Sequence, residues 1–353
     1  MDINSLPTYE QIIETLNKKN RVKHLLFGNG FSMSYDPTIF SYNSLSSFIQ
    51  NIDDELLKLL FERLKTKNFE TIMQQLDSFA EIAEVFQVDA YIIEKIKATN
   101  EKLKTSLIDA VRSLHPGHVF SIPEHKSKAC HRFLKEYLAK NGFVFSTNYD
   151  LLPYWVLMRN SATEDAADVH PNDGFGRELL SDPDDFNSER EYSNDLIWGV
   201  NKAGQNVFYL HGALPIFDTG VDIIKEVYNS EHLLMENINE RMNRGEYPIF
   251  ITAGNGNEKL TNIMHNKYLS HCYETLSSIG GSLVTFGFNF GDYDTHVIEA
   301  INAAAKQSKD KRLYSVYIGV YSDADIAQIE KIKSKFRVKK IHLYNARTAN
   351  IWQ

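Results

Sequence analysis

Apolar positions change their spacing several times along the chain, and each change marks an element. Thr8 to Asn20 carries Ile12, Ile13 and Leu16 on one helical face, with Thr8 placed to cap the helix and Gln11 to complete a capping box. Val22 to Phe27 ends in an apolar run and meets Gly28-Asn29-Gly30, the pattern of a strand entering a tight glycine turn. From Ser44 to about Leu114 the pattern is helical. Leu56, Leu57, Leu59, Leu60 and Leu64 recur at that spacing, then Phe79, Ile82, Ala83 and Phe86, then Ile92, Ile93 and Ile96. A sheet domain needs no helical excursion of this length between two strands. Residues 44–124 therefore read as an inserted helical subdomain, closed by Pro116 and Gly117.

Past the insertion, Ala129 to Lys140 reads as a helix ended by Asn141-Gly142, Phe143 to Ser146 as a strand, and about 150–158 as a helix. Asn160 to Asp195 is polar and acidic with Gly, Pro and Asp clusters, which suggests a long loop or mobile lid over 159–197. Strands and helices then alternate. Strands are expected at Val207–Leu210, Pro248–Thr252, Ser282–Phe286, Leu313–Val320 and Val338–Tyr344. Helices are expected at Ser230–Asn243, with Ser230 as its cap, and at Glu258–Ser277, Asp294–Gln307 and Asp323–Phe336. Alternation of this kind predicts an α/β protein with a Rossmann-like, doubly wound parallel sheet. That sheet domain takes in residues 1–43 and 125–353, interrupted by the helical subdomain.

Composition narrows the functional classes. Lys and Arg number 38 against 46 Asp and Glu, a formal net charge of −8, which disfavours direct nucleic-acid binding as the main task. The two cysteines, Cys130 and Cys272, supply neither a disulfide framework nor a four-cysteine zinc site. His265 and His271 are too far apart to share one helical turn, so no metal site is expected. The low cysteine count fits a reducing cytoplasm. Residues 1–10 lack the pattern of a signal peptide, and no window approaches the ~18 apolar residues of a membrane span.

Four polar or glycine-rich groups each follow an expected strand directly. They are Gly28-Asn29-Gly30-Phe31-Ser32, Thr147-Asn148-Tyr149-Asp150, His211-Gly212, and Gly287-Phe288-Asn289-Phe290-Gly291-Asp292. In a parallel sheet the carboxyl ends of the strands form one rim where ligands bind, so all four should line one crevice. The first group offers glycines and turn amides to a pyrophosphate, although it is neither a full G-x-G-x-x-G nor a P-loop. Asn148 either makes a turn or cap, or positions water and a ribose hydroxyl; Asp150 either favours a helix start or supports the site. His211, one of 12 histidines, titrates near neutrality and is a candidate base. Asn289 and Asp292 could meet ribose hydroxyls, with Asp294 left as the cap of the following helix.

In this order the four groups resemble the motifs of the sirtuin, or silent-information-regulator, superfamily. The resemblance spans roughly residues 22–310 and is carried by short motifs only. Two departures bear on the subfamily. The paired Cys-x-x-Cys zinc module of deacetylating sirtuins is missing after His211-Gly212, and Tyr35-Asp36-Pro37 stands where their Gly-Ile-Pro-Asp-Phe-Arg segment would be. The chain looks like the zinc-free, sirtuin-like NAD hydrolases of bacterial anti-phage defence. That likeness implies hydrolysis of NAD to nicotinamide and ADP-ribose, with Asn148 and His211 as the catalytic pair. It implies NAD contacts from Gly28, Asn29, Gly30, Phe31, Ser32, Thr147, Asp150, Gly287, Asn289 and Asp292. It also implies an abortive-infection effector held silent until triggered, with a homo-oligomer, an activating sensor protein, or both as partners. A non-catalytic subunit sensing NAD or ADP-ribose, and an ADP-ribosyltransferase, are the competing readings.

Overall fold

A computed structural model describes residues 2–37, 54–64, 69–160, 169–181, 191–228, 232–244, 246–251, 256–291, 294–308 and 311–353. The chain opens with α1 (Tyr9–Lys18), whose Thr8 and Gln11 close the expected capping box. Strand β1 (Lys23–Phe27) follows, and α2 (Asn29–Tyr35) begins one residue after Gly28. The insertion contributes α3 (Glu55–Arg63), α4 (Phe69–Val85) and α5 (Ala90–Leu114). Next come α6 (Glu124–Leu138), β2 (Val144–Ser146) and α7 (Leu152–Asn160). Asn141, at φ 56°, takes the left-handed turn that ends α6, and the Gly142 amide bonds back to Tyr137 O at 3.0 Å.

The middle of the chain is richer in strands than its pattern suggests. It holds β3 (Phe175–Gly176), β4 (Leu196–Trp198), β5 (Val207–Tyr209), β6 (Gly212–Asp218) and β7 (Ile223–Lys225), then α8 (Leu234–Asn243) and β8 (Pro248–Phe250). The last third is α9 (Gly256–His265), α10 (Lys267–Leu276), β9 (Gly281–Phe286), α11 (Thr295–Ala305), β10 (Leu313–Val320), α12 (Asp323–Ile332) and β11 (Lys340–Asn345). The helix expected over 258–277 is two helices, because the Asn266 side chain accepts from the amides of Tyr268 and Leu269 and starts a new one. Helix α8 starts at Leu234 rather than at 230, with Glu236 accepting from the Leu233 amide at 2.7 Å; Ser230 lies outside the described residues.

Six strands form a wholly parallel sheet in the order β11-β10-β9-β1-β2-β5. Numbered along the chain, that order is 3-2-1-4-5-6, the Rossmann arrangement, and it reverses between β1 and β9. The remaining five strands make a second, antiparallel sheet in the order β3-β4-β7-β6-β8. The run at Pro248, expected in the parallel sheet, pairs with β6 instead. A short apolar run shows that a strand is buried but not which strand it joins. The described part of segment 159–197 supplies β3 and a bridge between Leu179 and Tyr192, and Asp173 pairs with Lys225 at 2.5 Å. Those residues are therefore fixed to the second sheet; 161–168 and 182–190 lie outside the described residues.

The main core lies against the parallel sheet, where Leu25, Leu26, Phe27, Phe145, Leu283, Val284 and Ile318 are fully buried. Leu57, Phe61, Ile72, Leu76 and Leu103 of the insertion form a separate small cluster. Only part of the insertion's apolar pattern is buried. Ala83 packs inward, whereas Phe79, Ile82 and Phe86 are exposed, together with Val85 and Tyr91.

Candidate active site

The register places the four sequence groups at one height. Tyr209 pairs with Ser146, Ser146 with Phe27, and Phe27 with Phe286, so four neighbouring strands end level with one another. Gly28, Thr147, Leu210 and Gly287 each leave the sheet one residue later. Backbone bonds continue one step beyond the strands, from Gly28 N to Phe286 O, Thr147 N to Phe27 O and Leu210 N to Ser146 O. The expected shared rim is present, and the β1/β9 switch point lies within it.

The glycines turn out to face one another. A Cβ on Gly30 would lie 2.6 Å from Gly287 Cα, and one on Gly287 would lie 2.6 Å from both Gly30 Cα and Phe31 N. A Cβ on Gly28 would meet Phe288 at 2.8 Å. The Gly30 amide donates to Gly287 O at 2.9 Å, the Phe31 amide to Gly28 O at 2.9 Å and the Gly28 amide to Phe286 O. These residues are glycine so that two backbones can cross at the switch point, and the amides of Gly28 and Gly30 are used within the protein. That revises the expectation that Gly28 and Gly30 line a pyrophosphate. Asn29, the first residue of α2, is half-buried, and its amide has no partner within the helix. Phe31 belongs to the core, stacked on Phe27 at 4.3 Å and edge-on to Trp352 at 5.2 Å. Asn289 is exposed on the rim between the buried Phe288 and Phe290, and Asp292 lies outside the described residues.

The second group is built around a buried hydrogen-bonded chain. Asn148 Nδ2 donates to Ser32 Oγ at 2.8 Å, and Ser32 Oγ donates to Asp150 Oδ2 at 2.5 Å. Asp150 Oδ1 accepts the Leu152 amide at 3.0 Å, fixing the carboxylate at the start of α7. The Asn148 amide is held by Ser146 Oγ at 3.0 Å, and Thr147 Oγ1 bonds to Phe27 O. All five of these side chains are buried. Ser32 and Asp150, candidates for NAD contact by sequence, instead orient the Asn148 carboxamide. His115, just after α5, accepts the Leu151 amide on Nε2 at 2.9 Å and thereby ties the end of the insertion to this loop.

Burial raises the Asp150 carboxyl to about 6, against the opposing effect of the Ser32 hydrogen bond. Its ordinary value is 3.8, so between these values the folded state binds more protons than the unfolded state. Stability should therefore fall as pH rises from about 4 to 6. Asp150→Asn should flatten that slope, and it should also leave the Ser32 hydroxyl without its acceptor. Thermal melts of both proteins across this range check the sign; a wild-type melting point that rises through the window through this group would contradict it.

His211 stands where the chain passes from the parallel sheet into the antiparallel one. Gly212, at φ 82°, makes the turn, and a side chain there would run into Ile249 O. The Ile251 amide donates to His211 O at 3.0 Å, which pins the histidine between the sheets. Asn148 and His211 are each two residues beyond the paired Ser146 and Tyr209, on neighbouring strands. His211 Nε2 lies 2.8 Å from His296 Nε2 of α11, and both rings are buried. Burial lowers the His211 pKa well below the usual histidine range, assisted by His296 and Lys259, and burial then Lys259 lower His296 to about 4. Both imidazoles are neutral at pH 7.

Asp294, expected to cap α11, occupies the cap position without capping. Its Oδ1 accepts from Lys259 Nζ of α9 at 3.1 Å. His296, Asp294 and Lys259 were not legible as site residues, since each lies inside or beside a helix and carries no motif. The ligand atoms of His211, Asp294 and His296 lie within 4.8 Å of one another, close enough to surround a metal ion. Two features fit a proton-sharing pair better: the direct His–His contact, and the ammonium of Lys259 already on the carboxylate. Chelation should accordingly leave activity intact, and elemental analysis should find no stoichiometric zinc; a metal required for activity would contradict this assignment.

A cavity of about 610 Å³ opens elsewhere, between α1 and the β10–β11 edge, lined by residues that include Gln11, Tyr317 and His342. None of the rim residues lines it.

Fold and site together define an α/β protein with a Rossmann sheet and a buried polar site beside its switch point. A family profile described as a domain of unknown function, DUF4917, matches residues 25–352, and the chain belongs to that family. No curated protein matches it in sequence.

Proposed function

We propose that this protein is an NAD glycohydrolase that cleaves the nicotinamide–ribose bond. The observation that carries the reading is the placement of Asn148 and His211 at one height on adjacent strand ends, one oriented by Ser32 and Asp150, the other neutral and buried. It rests also on the resemblance of the four rim motifs to sirtuin-like NAD hydrolases. Nicotinamide in NAD is already cationic and leaves without an acid, so positive charge develops on the ribose as in glycoside hydrolysis. Asn148 would hold a ribose hydroxyl and the attacking water. His211 would accept the hydroxyl proton as charge builds, a role that needs a neutral imidazole. Asn29, half-buried, and Asn289, exposed on the rim, would meet the rest of the dinucleotide.

Because His211 is held neutral well below its usual range, NAD cleavage should not lose its base as pH falls from 7.5 to 6.5. A pH–rate profile in which activity collapses with an ordinary histidine pKa would contradict this. The exposed apolar side chains on α4 and α5, Val85 and Tyr91 among them, support a protein partner on the insertion: a second copy of this chain or an activating sensor. That assignment, a cytoplasmic location and a role in anti-phage defence belong to the same proposal. Incubation with NAD, alone and with the proteins encoded beside this one, tests the activity by the release of free nicotinamide. Labelled ADP-ribose appearing on protein would favour the transferase reading instead.

A further inference from the structure

His296 is a buried polar side chain at this site that the proposed mechanism leaves unused. It projects from α11 on the far side of the switch point, yet its Nε2 lies 2.8 Å from His211 Nε2. Two bare nitrogens at this separation repel and two N–H groups clash, so one proton lies between the rings. Burial and the nearby Lys259 ammonium keep His296 neutral, which leaves it able to accept. Its Nδ1 is buried without a hydrogen-bond partner among the described residues, so no second bond dictates which of its nitrogens carries the proton. The tautomers of the two rings are therefore set together.

We propose that His296 is a positioning residue that accepts the Nε2–H of His211 and so leaves the His211 Nδ1 lone pair for substrate. This rests on His211 being the base of the proposed reaction. When the ribose O–H bond breaks, its proton forms a bond to His211 Nδ1. The resulting imidazolium keeps its Nε2–H on His296, with the Asp294 carboxylate in the same cluster. The arrangement does for His211 what a third group does for the histidine of a catalytic triad: it fixes tautomer and ring orientation without touching substrate. The Lys259–Asp294 pair behind it ties α9 to the start of α11 and so fixes where His296 sits.

The test is the tautomer itself, read from long-range proton–nitrogen spectra of the full chain labelled with ¹⁵N-histidine. The His211 signals are assigned as those lost in His211→Gln. The wild type should show a protonated Nε2 and a bare Nδ1. His296→Leu should populate both tautomers and lower kcat by ~10- to 100-fold with KM within about threefold, the mark of a defect in the chemical step. His296→Gln, whose amide oxygen reaches the same place, should restore the tautomer and most of kcat. A wild-type His211 protonated on Nδ1, an unchanged His211 spectrum and kcat in His296→Leu, or a stoichiometric divalent metal bound through the two rings would overturn the proposal. The wild-type measurement needs no turnover, and uses a variant only to assign the His211 signals. A protein with the expected tautomer but no NAD cleavage would sink the proposed function and leave the pair standing.

Discussion

Asn148→Ala and His211→Ala are each expected to lower NAD cleavage by roughly a hundred- to ten-thousand-fold while the protein stays folded. Asn148→Ala removes the buried hydrogen bond to Ser32 and the support that the carboxamide gives Asp150, and keeps the Asn148 amide on Ser146 Oγ, so the loop keeps its path. His211→Ala leaves His296 without a partner, while the backbone bond from Ile251 to His211 O survives. Either truncation should cost about 1–3 kcal/mol of stability, less than a domain of this kind has in hand. Melting temperatures identify the folded variants, and single-turnover release of nicotinamide from those variants measures the chemistry. A folded variant that cleaves NAD at the wild-type rate removes that residue from the mechanism.

Gly287→Val should have the largest effect on the fold. Gly287 adopts φ 61°, a conformation that costs an L-residue about 1–2 kcal/mol and suits a β-branched one least. Any Cβ there would press on the backbone of Gly30 and Phe31 at 2.6 Å, and backbone cannot swing aside as a flexible side chain can. Overpacking of this kind adds about 1–3 kcal/mol, so the variant should lose about 2–5 kcal/mol and bring down the β1/β9 crossing with it. The readouts are the denaturation midpoint and the yield of folded protein. A stable Gly287→Val protein with only a raised KM would mean that this backbone faces ligand rather than β1.

Much of the frame is legible in the chain alone. Thr8 and Gln11 announced α1, and all six parallel strands stood out as apolar runs between helical stretches, with β11 shifted slightly toward the C-terminus at both ends. The second sheet was hidden for reasons of length and pattern. β3, β4 and β7 span only two or three residues each, too short for a period to show. β6 is buried along almost its whole length and so lacks the alternation that marks a half-exposed strand. At the site, strand-end positions pointed correctly to Asn148 and His211 as rim residues. They could not show what stands opposite a glycine, and so did not reveal that Gly30 and Gly287 serve each other. Nor could they single out His296 among 12 histidines, because its meaning comes from a partner 85 residues away.

The central claim is that this site binds NAD and breaks its glycosidic bond. The most direct measurement is quantitation of nicotinamide and ADP-ribose after incubating the purified full chain with NAD, with and without the proteins encoded beside it, while NAD binding is followed by calorimetry. The account predicts binding, equal amounts of the two products in at least one of these conditions, and their loss in Asn148→Ala and His211→Ala. A folded protein that neither binds NAD nor releases nicotinamide in any of them would contradict it.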